Sequence, residues 1–305
     1  MKDSFRKRIF ERTNKALGQE NFEEAMSHSE RLLPVLFWPT RKKRRRNIRF
    51  LFPELNKKER RDMEKRHGKY FALMRVHMAR ISRYTLEAFK QDFVVVEGAD
   101  LIKQALEAGK GALVVGAHSG TWLTGSTSLA VRGFKTNVVA DPLIYPPFLD
   151  FLCRTVKRFG INLIFARKNA FVKVREALGR GELVYLFVDL SIRPERSPCF
   201  PLLGASLPMD PGPALLALRQ DVPVFWASCY HCEDQRAGLT IKREPSFGSD
   251  SELNTRDAIL KHWAGRLEQD LHDYPEQWSS LNYVELKEGD QHAIVGQGND
   301  CKTGK

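Results

Sequence analysis

The string AHSGTW, Ala117 to Trp122, holds the residue best placed for chemistry. Its histidine, His118, follows GALVVGA, an almost continuous apolar run suited to a strand buried on both faces. It precedes TWLTGSTSLAVRG, which reads as a helix. In open parallel sheets, ligands bind beyond the carboxyl ends of the strands, and a histidine at that place faces the crevice. Gly116 and Gly120 leave little bulk beside it, so a substrate can approach closely. The amides that open the next helix can stabilise negative charge. A histidine so placed removes a proton from a hydroxyl or an amine. The competing reading is a structural histidine with both ring nitrogens satisfied.

Asp189 ends a second apolar strand, ELVYLFVDL. If the two strands are neighbours, its carboxylate orients the His118 ring and stabilises the imidazolium; otherwise it is a loop or cap aspartate. Arg154, Arg158, Arg167, Lys168, Arg193 and Arg196 flank the same loops. Guanidinium groups there suit phosphate or carboxylate recognition, against the plainer reading of a solvated surface. Cys229 and Cys232 form a C-x-x-C, but no second ligand pair stands at a zinc-site spacing. Five cysteines at irregular spacing make no disulfide framework and point to a reducing compartment. No phosphate-binding loop, dinucleotide fingerprint, serine-nucleophile elbow or H-E-x-x-H pattern is present.

The elements that must carry these residues alternate from residue 93 onward. DFVVVEG, GALVVGAHS, KTNVVAD, INLIFAR, ELVYLFVDL and VPVFWASCYH read as strands. Helical segments stand between them, and RDAILKHWAGRLEQDLHD closes the series as a helix. That order predicts an α/β fold with a mostly parallel central sheet flanked by helices. Residues 1–90 form a basic helical segment, 91–287 the α/β domain, and 288–305 a polar, disordered tail. In the first segment Glu20 to Leu33 and Lys58 to Phe89 have helical periodicity, with Asn56 as the cap of the second.

The 305 residues carry a net charge of +12, which biases partners toward anions. Much of it lies between Arg41 and Arg46, a run that reads as a solvated face or as a contact for anionic lipid or an acidic protein. Interleaved stacking aromatics are missing from that run, so nucleic acid is not the expected partner. The apolar run LLPVLFW is far short of the roughly 20 residues that span a bilayer, and the N-terminus has no signal-peptide core. A cytoplasmic protein, soluble or peripheral on the inner face of the membrane, is expected.

At these residues the chain resembles the bacterial lipid A late acyltransferases (lauroyl and myristoyl transferases), within the lysophospholipid acyltransferase superfamily. The likeness runs from about Arg41 to Tyr283. RRRNIRFLFPELNKKERR is similar to the stretch before the family's catalytic domain, and VVVEGADLIKQALEAGKGALVVGAHSGTW to its passage ending in His-x-Gly-x-Trp. LCRTVKRFG resembles its arginine-bearing helix, REALGRGELVYLFVDLS its helix and strand leading to an aspartate, CFPLLGASLPMDPGPALLALRQDVPVF its F-x-G block, and LEQDLHDYPEQWSSLNY its P-x-Q-W block.

The resemblance implies acyl transfer from an acyl carrier protein or coenzyme A thioester to a hydroxyl or amine of a lipid or secondary-metabolite acceptor. It requires no metal or bound cofactor. His118 would be the base and Asp189 its partner. Gly120, Trp122, Arg154, Arg167, Arg193 and Gly204 would contact substrate, with amides near Gly120 or Arg154 stabilising the oxyanion. Two departures stand out. The family places an acid five residues after the histidine, where this chain has Leu123. Either another acid substitutes, Asp189 first and Asp141 second, or catalysis is lost and the fold binds an acyl chain or a carrier protein. The membrane helix that members commonly carry at the N-terminus is also not evident, which favours a soluble or peripheral enzyme.

Overall fold

The computed structural model describes residues 2–288 except 20, 37–39, 82, 88, 90–93, 143–145, 192, 233, 235 and 249–250. Four helices come first: α1 (Lys2–Gln19), α2 (Phe22–Leu36), α3 (Arg41–Leu51) and α4 (Lys57–Ile81). The basic run is helical, within the segment expected to be helical. Arg41, Arg44 and Arg45 all pair with Glu64, and Lys43 and Arg46 pair with Glu285. Part of the anion-seeking charge is thus spent inside the fold. Asn56 caps α4 as expected: its side chain accepts from the amides of Lys58 and Glu59, and its own amide donates to the Glu59 carboxylate. That reciprocal pair is a capping box.

The alternating part follows. It contains β1 (Val94–Glu97), α5 (Ala99–Glu107), β2 (Ala112–Gly116), α6 (Trp122–Val131), β3 (Thr136–Ala140), α7 (Pro146–Arg158), β4 (Asn162–Phe165), α8 (Ala170–Gly179) and β5 (Leu183–Phe187). A hairpin of β6 (Cys199–Leu202) and β7 (Ala205–Pro208) leads to α9 (Pro211–Arg219), β8 (Val224–His231), β9 (Ala237–Arg243), α10 (Arg256–Asp273) and β10 (Lys287–Glu288).

Seven strands form one sheet in the order β1-β9-β8-β2-β5-β3-β4. Five run parallel; β9 pairs antiparallel with β8, and β1 runs parallel to β9 at that edge. The hairpin and β10 make a small antiparallel sheet. Strand alternation splits the core in two. Leu113, Val115, Val184, Leu186 and Trp226 face one layer with α8, α9 and α10. Val114, Leu183, Tyr185, Phe225 and Ala227 face the other with α4, α5, α6 and α7. Ile48, Leu51 and Met63 of α3 and α4 join the first core and Phe71, Met74, Met78 and Ile81 the second, while Leu17 of α1 and Ala25 of α2 pack with Val76 and Ala79 in a third cluster. The expected boundary at residue 90 falls outside the described residues, as does the tail beyond Glu288, which itself still pairs with Ala205.

Candidate active site

Strand register brings the two candidate residues together. β2 and β5 are parallel neighbours, with Gly116 opposite Phe187. His118 and Asp189 lie two residues past that last pair, so they leave the sheet side by side. The His118 Nδ1–H donates to Asp189 Oδ1 at 2.8 Å, and the His118 amide donates to both carboxylate oxygens at 3.1 Å. The Trp278 indole and the Ser280 hydroxyl each donate to Oδ2 at 2.7 Å. Asp189 is fully buried. Burial pushes its pKa up, but facing His118 and accepting from His118, Ser280 and Trp278 outweigh this and hold the carboxyl below its ordinary range.

With Nδ1 protonated toward Asp189, the Nε2 of a neutral His118 carries a lone pair. No described residue bonds to Nε2, and the side chain keeps 19% of its exposure. The ring stacks on Phe187 at 4.4 Å and meets the edge of Trp122 at 5.0 Å. Trp122 in turn touches Phe148 of α7, which neighbours Phe151 and Phe10. An apolar, aromatic row therefore leads away from the imidazole.

Leu123 is 1% exposed in the second core. Asp189, not Asp141, is the residue bonded to His118.

The loop between His118 and α6 is pinned at nearly every polar atom. The His118 carbonyl accepts from the Ser279 amide at 2.9 Å and its hydroxyl at 2.6 Å. Gly120 has φ of 53°, and a Cβ there would lie 2.4 Å from the Cys229 carbonyl carbon, so only glycine fits. Its amide donates to the Gln277 carbonyl at 3.0 Å and its carbonyl accepts from the Tyr70 hydroxyl at 2.8 Å. The Gly120 amide is thus committed to the loop. The amides of Trp122 and Leu123, next along the chain, have no acceptor among the described residues.

The remaining candidates are not gathered at the imidazole by any contact. Arg154 is exposed on α7, Arg167 is exposed beyond β4 with its guanidinium over Phe165, and Arg193 is exposed in the loop after Asp189. Gly204 turns the β6–β7 hairpin; its amide donates to the Leu51 carbonyl and a Cβ there would lie 2.5 Å from Pro53. That contact accounts for the glycine. Reading the sequence missed Trp278, Ser279, Ser280 and Gln277, although the P-E-Q-W stretch that contains or adjoins them was part of the likeness.

A cavity of about 310 Å³ lies between β8 and the end of α10, lined by Ser228, Lys242 and Asp270 among others. It adjoins a smaller one of about 180 Å³ that reaches Ser119. His118 lines neither of them. No group of three or more histidine, cysteine or acidic side chains among the described residues is arranged to hold a metal. Cys229 and Cys232 are free thiols, and burial pushes Cys229 up to about 12.

The family model for bacterial lipid A biosynthesis acyltransferases matches residues 13–283. The chain belongs to that family. It is an acyltransferase, and the family implies a lipid acceptor. No curated protein matches the chain. No helix among the described residues is long and apolar enough to cross a membrane.

Proposed function

We propose that this protein transfers an acyl group from an acyl carrier protein or coenzyme A thioester to a hydroxyl or amine of a lipid acceptor, with His118 as general base. The observation that carries the reading is the buried His118–Asp189 pair, with Nε2 left open. Nε2 takes the proton of the acceptor O–H or N–H while the heteroatom attacks the thioester carbonyl carbon. The C–S bond then breaks, the thiolate leaves, and the imidazolium returns the proton to it. Asp189 keeps the Nδ1–H tautomer in place and stabilises the transient imidazolium. The tetrahedral oxyanion is met by the Trp122 and Leu123 amides at the positive end of α6. The aromatic row from Trp122 to Phe148 suits an acyl chain. The exposed Arg154, Arg167 and Arg193 suit the phosphates of coenzyme A or the acidic surface of a carrier protein. A cytoplasmic enzyme that touches anionic membrane through its basic N-terminal helices fits the net charge of +12.

The alternative, a fold that only binds acyl chains, drew its support from Leu123. Asp189 removes the need for an acid at that position. The test follows loss of dodecanoyl thioesters of acyl carrier protein and coenzyme A by mass spectrometry, alone and with cell extract. His118→Ala should lower turnover by about 10²–10⁴ while unfolding near the native temperature. Full activity in that variant overturns the mechanism; donor binding without His118-dependent loss favours the binding protein.

A further inference from the structure

Several helices in this chain begin with a conventional side-chain cap, among them α2 at Asn21 and α4 at Asn56. Asp210 accepts from the Gly212 amide at the start of α9, and Thr255 accepts from the Ala258 amide at the start of α10. Both residues have extended backbones, with ψ of 125° and 153°. Thr121 occupies the same position before α6 and is of a type that caps well, yet it makes no side-chain cap and its ψ is 69°. Its hydroxyl is bonded instead to Nε2 of His231.

His231 is held for that task from every side. Its amide donates to the Gln277 side-chain carbonyl at 2.7 Å, and the Gln277 side-chain amide donates back to its carbonyl at 3.2 Å. Its ring packs against Tyr70 at 5.5 Å and His77 at 5.0 Å. It is 5% exposed, and its Nδ1 has no hydrogen-bond partner. Burial, and His77 beside it, hold His231 far below the ordinary histidine range, so the ring is neutral. Leaving one ring nitrogen unsatisfied in the interior costs stability, and the one hydrogen bond that the ring does make is to Thr121.

We propose that His231 is a positioning residue: by holding the Thr121 hydroxyl away from α6 it prevents the helix from being capped internally, and so keeps the Leu123 amide, with that of Trp122, open to the oxyanion. This rests on the acyl-transfer reading above. A threonine hydroxyl at this position caps the second or third amide of the helix. The third, Thr124, already donates to the Thr121 carbonyl at 2.7 Å, so Leu123 is the amide that a freed hydroxyl would take. The site trades a helix cap for a free donor.

The experiment compares His231→Phe, His231→Phe with Thr121→Val, and His231→Gln, by crystal structure and by dodecanoyl-thioester turnover. Phenylalanine keeps the ring packing but frees the hydroxyl. Its structure should show Thr121 Oγ1 within hydrogen-bond reach of the Leu123 amide, and kcat should fall by about 10²-fold, the scale of losing one oxyanion donor, with KM little changed. Valine has no hydroxyl to cap with, so the double variant should recover most of that loss. A purely structural role predicts the reverse, with two interior changes adding their costs. Glutamine still offers Thr121 a polar partner and should stay within a fewfold of the native rate. The proposal is overturned if Thr121 in His231→Phe does not turn to α6, or if the double variant is no faster than the single one. Should His231→Phe not fold, His231→Leu with and without Thr121→Val gives the same comparison. If His118→Ala is fully active while Thr121 turns as described, the acyl-transfer mechanism fails and the capping exchange stands.

Discussion

Replacing Asp189 by asparagine keeps the shape of the side chain and changes what each of its faces offers. In the native site Oδ2 receives the Trp278 indole and the Ser280 hydroxyl at 2.7 Å, and Oδ1 receives the His118 Nδ1–H at 2.8 Å. Asparagine has one carbonyl for these two faces. Ser280 can rotate to accept, but the indole N–H can only donate, so the carbonyl must turn toward Trp278. The amide NH₂ then faces His118 Nδ1 and donates to it, which places the ring proton on Nε2. In that tautomer His118 has no lone pair toward the acceptor and cannot act as base. Where an orienting aspartate of a serine-protease triad is changed in this way, the loss is about 10⁴ in kcat, or about 5 kcal/mol of transition-state stabilisation. For Asp189→Asn we expect a loss of about 10³–10⁴ by the same tautomer argument. The assay is thioester loss at saturating donor, with unfolding temperature measured in parallel and the His118 tautomer read from its ¹⁵N shifts. A loss below tenfold in a folded variant, or a native tautomer with a large loss, refutes the reasoning.

Two further outcomes follow from burial. Leu123→Asp, which restores the acid of the family motif, should not raise activity, because Nδ1 already has its acceptor; it should cost about 3–5 kcal/mol of stability by emptying a core position and burying a carboxyl. A Leu123→Asp variant that unfolds at the native temperature and turns over faster would contradict both points. Burial raises Asp270 to about 6, with the Ser228 and Trp226 donors only partly offsetting it. A carboxyl whose folded pKa lies above its unfolded value penalises the fold when ionised. Asp270→Asn should therefore gain most relative to the native protein above pH 6, and that gain should fade as pH falls toward 4. Unfolding temperatures from pH 4 to 8 check it, and a gap that widens on acidification would be the wrong sign.

The parts of the fold that were legible in the sequence are those written in local pattern. Near-continuous apolar strands alternating with helices required a parallel sheet, and the ends of two such strands located His118 and Asp189. What could not be read depends on partners far along the chain. Trp278 and Ser280 reach Asp189 across about ninety residues, and Ser279 reaches His118 across 161. No periodicity announces such contacts. The β6–β7 hairpin was hidden because CFPLLGASLP has neither clean alternation nor a two-residue turn signal. The reversed β9 was missed because AGLTIKR is half polar. Composition overstated the freedom of the basic run, since Glu64 and Glu285, which pair with five of its six cations, are 18 and 239 residues beyond Arg46.

A leucine at position 123 and an aspartate at position 189 have a physical logic. An aspartate at position 123 would be buried in the second core, where Leu123 now packs. A carboxylate survives burial when donors surround it. Asp189 has the His118 ring and amide, the Trp278 indole and the Ser280 hydroxyl. Three of the groups involved, the His118 amide, Ser280 and Trp278, would be left without their acceptor if the carboxyl were removed. A site that merely enclosed an acyl chain gains nothing from holding a fully desolvated charge against an imidazole whose second nitrogen is open. The cost of that charge is offset in the resting site by its donors, and under the proposed mechanism the same carboxylate also stabilises the imidazolium when a proton arrives at Nε2. Catalysis through His118, as proposed, uses this arrangement, and Leu123 packs as a core residue.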